Sequence, residues 1–335
     1  MKVGPLVSII VVCYNQARFV RECLESVRLQ TYANTELIVI DDCSGDDSAA
    51  VIESWIAALP DKPTFIVHER NQGICKTFNE ALSNASGKYV SIIAADDVYL
   101  PDKTETQVTL FESLPENVGV IYSDVWQMDA CGNLLKQHFI ESQRDFAVMP
   151  QGNLFDALLQ GNFIPAMSTM VRRECYAQVG RYDEQLTYED FDMWLRISRH
   201  YEFVFSPVIS AKYRVLPTSL SRTIHAAGQW PLLKSDFRIY ENAMTAGLTG
   251  AQRTYARKRL AGIARQMCVR DYPGRTPYVA RLLRYQFTPL TMILLLCSMA
   301  GVPYRRLSNL KNFYRYVIDK SSRMFSHGYQ NEIRE

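Results

Sequence analysis

Tyr89-Val90-Ser91-Ile92-Ile93-Ala94-Ala95-Asp96-Asp97 joins a short apolar run directly to two carboxylates. A run of this length, bounded by polar turn residues, reads as a buried parallel strand. Neither aspartate belongs in a core, because an unpaired buried charge is costly. The pair therefore belongs just past the strand's carboxyl end, where open α/β sheets bind their ligands. Two hard oxygen donors there suit Mg²⁺ or Mn²⁺ carrying a phosphate. The alternative for this stretch alone is a solvated Asp-Asp turn before the helix that Pro101 starts.

The same pattern occurs twice earlier. Val7 to Cys13 is apolar and stops at Tyr14-Asn15-Gln16, and Glu36 to Ile40 ends in Asp41-Asp42-Cys43-Ser44. Between the runs, Phe19, Val20, Cys23, Leu24 and Val27 fall at helical spacing, and Ala49 to Leu59 reads as a helix ended by Pro60. Thr64 to Val67 is a weaker strand, and Asn71-Gln72-Gly73 turns into a helix over about 74–84. A further helix is expected over 103–114 and a strand over 118–124. Strands alternating with amphipathic helices mean βαβ units on a mostly parallel, Rossmann-like sheet. Right-handed crossovers then put Tyr14, Asp41–Asp42 and Asp96–Asp97 on one crevice.

Beyond 124 the alternation becomes irregular. Asp129 to Asn133 reads as a hairpin turn. Short helices are expected over 152–160 and 172–179, the second capped by Gly180, with a strand over 167–171. Phe191, Trp194, Leu195 and Ser198 share one face of a later helix, with Glu189 and Asp190 in its first turn. A helix dipole favours negative charge there, so an acidic cap is the bland reading of that pair. Strands over 203–205 and 208–213 close this part.

Together these motifs resemble the inverting family-two glycosyltransferases of the type A fold, over roughly residues 5–222. The resemblance rests on Val7-Ser8-Ile9-Ile10 with Tyr14-Asn15, Gln30-Thr31-Tyr32, Glu36 to Ser44, Asn71-Gln72-Gly73, Ala95-Asp96-Asp97, and Tyr188-Glu189-Asp190 with Trp194-Leu195-Arg196. It implies a nucleotide-sugar donor, a uridine diphosphate sugar. Tyr14 would stack on the base, and Asp42, beside Asp41, would accept the N3–H of uracil, as an ionised carboxylate can. Asp96 would contact ribose or metal, and Asp97 would hold Mn²⁺ or Mg²⁺ on the diphosphate, with Lys76 as a further diphosphate contact. Asp190 would be the general base and Glu189 would orient it. Two departures stand out. The first strand ends Val12-Cys13 where the family often has proline or threonine. Residues 213–217 also lack a histidine that many relatives place there, and His225 is off the spacing.

The net charge of +2 hides an asymmetry. Residues 251–335 carry a balance of +12 and the first 250 residues −10. The domain boundary is expected between about 222 and 232. This leaves a catalytic domain over 1–225, with nucleotide and acceptor halves meeting near 125, and a helical, basic region over 226–335. Thirteen residues between Pro289 and Pro303 form the most apolar stretch. As a helix they span about 20 Å, short of the ~30 Å hydrocarbon core. Flanked by Arg281, Arg284, Arg305, Arg306, Lys311 and Arg315, this segment suits the interface of an anionic membrane; the alternative is a core helix. A peripheral location on the inner face of the cell membrane follows. It fits a saccharide or polyprenyl-diphosphate-linked acceptor in polysaccharide biosynthesis of the lipopolysaccharide or O-antigen kind.

Eight cysteines without a CxxC pair read as reduced cytosolic thiols. No nucleic-acid motif accompanies the basic tail. Two rival readings are a nucleotidylyltransferase, which would show a glycine-rich N-terminal loop, and a sugar-nucleotide-binding protein without activity, against which Glu189–Asp190 argues.

Overall fold

A computed structural model of the protein describes residues 4–217, 219 and 230–301. His225 and the basic positions from Arg305 onward lie outside the described residues. The chain divides into two compact units, Met1–Ser235 and Asp236–Glu335.

In the first unit, β1 (Val7–Cys13), β2 (Thr35–Asp41), β3 (Thr64–Val67) and β4 (Tyr89–Ala94) alternate with α1 (Val20–Arg28), α2 (Ser48–Ala57) and α3 (Ile74–Asn84). The apolar runs form strands because both of their faces are covered. Six of the seven β1 residues are buried, as are five of the six in β4. Val20, Cys23, Leu24 and Val27 of α1 and Ile52 and Trp55 of α2 enter the same core as Val7, Ile9 and Val11. Each such aliphatic side chain contributes roughly 1.5–3 kcal/mol by leaving water.

The chain continues through β5 (Val98–Tyr99), α4 (Lys103–Ser113), β6 (Val118–Ser123), β7 (Trp126–Met128) and β8 (Leu134–His138). Then come α5 (Phe139–Gln143), α6 (Phe155–Leu159), β9 (Met170–Arg172), α7 (Arg173–Val179), α8 (Asp190–Ile197), β10 (Glu202–Ser206) and β11 (Ala211–Arg214). The main sheet has seven strands in the order β10-β6-β9-β4-β1-β2-β3. All neighbours pair in parallel except β9, which is antiparallel to both β4 and β6. The mixed α/β fold with its mostly parallel sheet agrees with the sequence reading.

A second sheet, β5-β11-β7-β8, was not anticipated. Its strands are two to five residues long and drawn from distant parts of the chain. The hairpin turn between β7 and β8 is as expected: Asp129 Oδ1 accepts the N–H groups of Cys131 and Asn133. Gly132 sits at φ +86, where only glycine is unstrained.

The second unit is helical, with α10 (Gly250–Val269), α11 (Thr276–Leu282), α12 (Pro289–Met299) and most of α9 (Trp230–Thr245). Thr249 caps α10 reciprocally with Gln252, and Pro289 opens α12 behind Thr288. Leu294 of α12 is buried, whereas Leu290, Ile293, Leu296 and Met299 point to solvent, as does Phe287 just before the helix. Among the described residues no helix is long and apolar enough to cross a membrane. All eight cysteines are free thiols.

Candidate active site

The parallel register brings three strand ends level. Cys13 of β1 lies opposite Asp41 of β2, and Val12 lies opposite Ala94 of β4. Ladder bonds continue one residue further, from Asp42 N to Cys13 O and from Ala95 N to Val12 O. Tyr14, Asp42 and Asp96 therefore emerge on one edge, and all three line one cleft of about 650 Å³. Gly73, Ile74 and Phe78 from the start of α3 form another wall, with Leu186 and Thr187.

The polar tips of β1 and β2 are bolted together. Asn15 N donates to Ser44 Oγ at 2.8 Å, and Gly45 N donates back to Asn15 Oδ1 at 2.7 Å. Gln16 N donates to Ser48 Oγ at 2.8 Å. Asn15 takes φ +53, a left-handed conformation that asparagine tolerates better than most residues. Asp41 is consumed inside this clip: its two carboxylate oxygens accept Ser44 N at 2.8 Å and Ser44 Oγ at 2.6 Å. It is not a wall of the cleft. Tyr14, by contrast, is 49% exposed at the cleft's rim.

Asp42 is buried yet lines the cleft. It accepts the N–H groups of Gln72 at 2.7 Å and Gly73 at 2.9 Å, with His68 Nδ1 at 2.7 Å from the same carboxylate. Asp42 thus anchors the Asn71-Gln72-Gly73 turn, where Gly73 needs its φ of +83. A carboxylate has about four acceptor positions, so one remains for a ligand N–H. His68, which the sequence reading passed over, also reaches Glu80 through Nε2 at 3.0 Å. Lys76 is exposed on α3 and is not among the cleft's lining residues.

Asp96 and Asp97 follow β4 as expected, but with an unforeseen partner. β11 runs antiparallel to β5, pairing Ala211 with Tyr99 and Lys212 with Val98, which carries Arg214 to the pair. Arg214 N donates to Asp97 Oδ1 at 2.8 Å, and its Nε donates to the Asp96 carbonyl at 2.8 Å. Its Nη2 reaches Glu22 Oε2 at 2.6 Å, with the guanidinium over the Phe19 ring. This arginine is almost fully buried. The sequence signal was an arginine at the end of an apolar run, which must find acceptors.

Burial pushes both carboxyls above the ordinary carboxylate range. For Asp97 the neighbouring Asp96 charge adds to the push, and Arg214 opposes it in both. A divalent cation would relieve that cost. Among the described residues no group of three or more His, Cys, Asp or Glu converges on a metal site. Mg²⁺ and Mn²⁺ are commonly held by one or two carboxylates with phosphates and waters; of this pair Asp96 lines the cleft, whereas Asp97 is buried and is not among its lining residues.

Glu189 and Asp190 stand at the start of α8 and line a small adjoining cavity that shares Phe78 with the cleft. Asp190 Oδ2 accepts Asn162 Nδ2 at 2.7 Å, and Oδ1 accepts the Phe191 N–H at 2.6 Å. Burial raises both carboxyls, Glu189 further than Asp190 because the Asp190 charge adds to it; the two bonds to Asp190 pull it back down. Trp194 lines the same cavity, and among the described residues its buried indole N–H has no acceptor. An orphan donor of that kind costs about 1–3 kcal/mol.

Residues 8–160 match the family model described as "Glycosyl transferase family 2", and the fold is the type A glycosyltransferase fold of the similar solved structures. Among its relatives is the uncharacterised glycosyltransferase RP339 of Rickettsia prowazekii, 29% identical over 226 residues, which are 66% of this chain and 67% of RP339. The putative teichuronic acid biosynthesis glycosyltransferase TuaG of Bacillus subtilis is 24% identical over 70% of this chain and 87% of TuaG. Among solved structures, S. aureus TarS 1–349 in complex with UDP-GlcNAc superposes with a TM-score of 0.62 at 15% identity, covering 88% of this chain and 87% of that one.

Proposed function

We propose that the protein is an inverting, metal-assisted glycosyltransferase. It moves a sugar from a uridine diphosphate donor to a hydroxyl of a saccharide or lipid-linked acceptor in cell-surface polysaccharide synthesis. The carrying observation is the level exit of β1, β2 and β4, which puts Tyr14, Asp42 and Asp96 in one cleft, with Glu189 and Asp190 in the next cavity. The UDP-GlcNAc complex of TarS and the teichuronic acid role in the name of TuaG support the donor class and the product class.

Tyr14 offers an exposed ring for the base, and Asp42 keeps one acceptor position for its N3–H. Asp96 and Asp97 would hold the divalent cation, which offsets the leaving diphosphate's negative charge when bound. The acceptor oxygen forms its bond to the anomeric carbon as the bond to the diphosphate breaks, and the diphosphate leaves with that electron pair. Asp190 takes the acceptor's proton from the face opposite the leaving group. Glu189, raised further, stays protonated while Asp190 is ionised, so the pair carries one charge. Residues 287–299 supply an apolar face for the membrane surface, and the basic chain around it suits anionic headgroups.

The test is hydrolysis of UDP-sugars in Mn²⁺ by the wild type and by Asp190→Asn, read together with donor affinity. Slow hydrolysis of one donor by the wild type, depressed in the variant at unchanged affinity, supports the reading. Hydrolysis indifferent to Asp190 removes its base role, and no donor binding at all removes the reading.

A further inference from the structure

At the opposite edge of the main sheet lies a pocket of about 500 Å³ that the transfer reaction does not use. Lys88 immediately precedes β4, and Arg172 ends β9, paired across the ladder with Tyr89. Arg173 begins α7, and Arg181 follows that helix's glycine cap. These four cations line the pocket with a single carboxylate, Glu174. β4 has six residues at about 3.3 Å each, so its two ends lie roughly 20 Å apart. The pocket is therefore distinct from the cleft at Asp96.

The cations are poorly compensated. Arg172 is only 5% exposed, yet its guanidinium bonds only neutral acceptors: Val118 O at 2.7 Å, the Tyr89 hydroxyl at 3.2 Å and Phe111 O at 3.4 Å. Arg173 spends only Nε, on Gly87 O at 2.9 Å. Among the described residues its Nη atoms and the whole Arg181 guanidinium make no hydrogen bond or ion pair. Only Lys88 is neutralised, by Glu112 at 2.7 Å. A concave site with surplus guanidinium donors above a buried arginine, whose nearest carboxylate, Glu112, is already paired with Lys88, matches a phosphate in charge and in fork geometry. Its volume lies within the range of small-molecule sites and exceeds what a lone inorganic ion needs.

We infer that this pocket is a second anion site, taking a phosphate- or diphosphate-bearing ligand through Arg173 and Arg181, with the charge of Arg172 beneath them. The same chemistry is offered by a free phosphorylated metabolite and by the headgroup of a diphosphate-linked lipid. The proposal stands independently of the donor cleft, since its probe contains no nucleoside.

The experiment is calorimetric titration of sodium pyrophosphate at fixed ionic strength with EDTA present. It uses the wild type, Arg181→Ser, and Arg173→Ser/Arg181→Ser, each checked for an unchanged thermal melt. Arg181→Ser removes a side chain without hydrogen bonds, so it should fold even if the double variant does not. The expected result is saturable binding by the wild type, weakened about tenfold by Arg181→Ser and further by the double variant, as for lost charge-assisted bonds. A second arm floats the proteins with phosphatidylcholine vesicles containing a polyprenyl diphosphate. Capture of the wild type above that of the double variant assigns the lipid headgroup, and equal capture beside intact pyrophosphate binding assigns a free ligand. No pyrophosphate binding by the wild type, or equal affinity in Arg181→Ser, overturns the proposal.

Discussion

Two adjacent pairs of acidic residues, Asp96–Asp97 and Glu189–Asp190, look alike in the sequence and are held differently in the fold. Both are pushed up by burial. The first pair sits beside a buried arginine, whose backbone N–H bonds Asp97 and whose side chain bonds the Asp96 carbonyl. Among the described residues the second is bonded to no cation; its support is an asparagine amide and one backbone N–H, both on Asp190. A pair next to a positive charge is poised to share charge, which suits holding a metal and a diphosphate. A pair without one is poised to share a proton, which suits a base.

The largest effect should come from removing the proposed base. Asp190→Asn is expected to lower the transfer or hydrolysis rate by about 10²–10⁴-fold while donor affinity, measured by calorimetry, stays unchanged. An equal loss of affinity would break the distinction between the two pairs. Next is Arg214→Met, which strips the first pair of its cation. Breaking a buried charge network by removing one partner costs on the order of 3–5 kcal/mol, so urea denaturation should show a large fall in stability. The same change at an exposed arginine such as Arg181 should show almost none.

Asn162→Ala removes a hydrogen bond that favours the ionised form of Asp190. The acid limb of the kcat/KM profile should already lie above the ordinary carboxylate range and should move higher still in the variant. The rate should fall several-fold on that limb and little at high pH. The smallest effect is on stability. Glu189 is raised in the folded state, so its contribution is fully present below its unfolded pKa and is lost as pH rises through the folded value. Glu189→Gln should therefore melt slightly above the wild type at pH 9, and the gain should vanish toward pH 4.

The first hundred residues were the most legible part of the chain. Strands β1 and β3 match their expected limits, and β2 and β4 differ by about a residue. There the apolar runs are continuous and the polar stops abrupt, so burial on both faces dictates local structure. Where strands shrink to two to five residues, periodicity carries too little signal. β9 slips antiparallel between β4 and β6, starting at Met170 rather than near 167, behind a short helical turn over Ala166–Ser168. The expected strand from Val208 begins only at Ala211.

Site residues followed the same rule. Tyr14, Asp42 and Asp96 were legible because each ends a strand. Arg214 and His68 were not, because their partners are 117 and 26 residues away. Asp41 shows a further limit: two adjacent aspartates read alike, but the pleat turns one into the clip and the other toward the cleft.

The central claim is that three strand ends build one donor cleft, and Tyr14 tests it with least disturbance because its ring is half exposed. The measurement is the melting temperature with UDP and Mn²⁺, for the wild type and Tyr14→Ala. A ligand at a hundred times its Kd adds about 2.7 kcal/mol of stability. The account predicts a clear metal-dependent rise for the wild type, sharply reduced in Tyr14→Ala while the unliganded melt is unchanged. An equal rise in both proteins would contradict it.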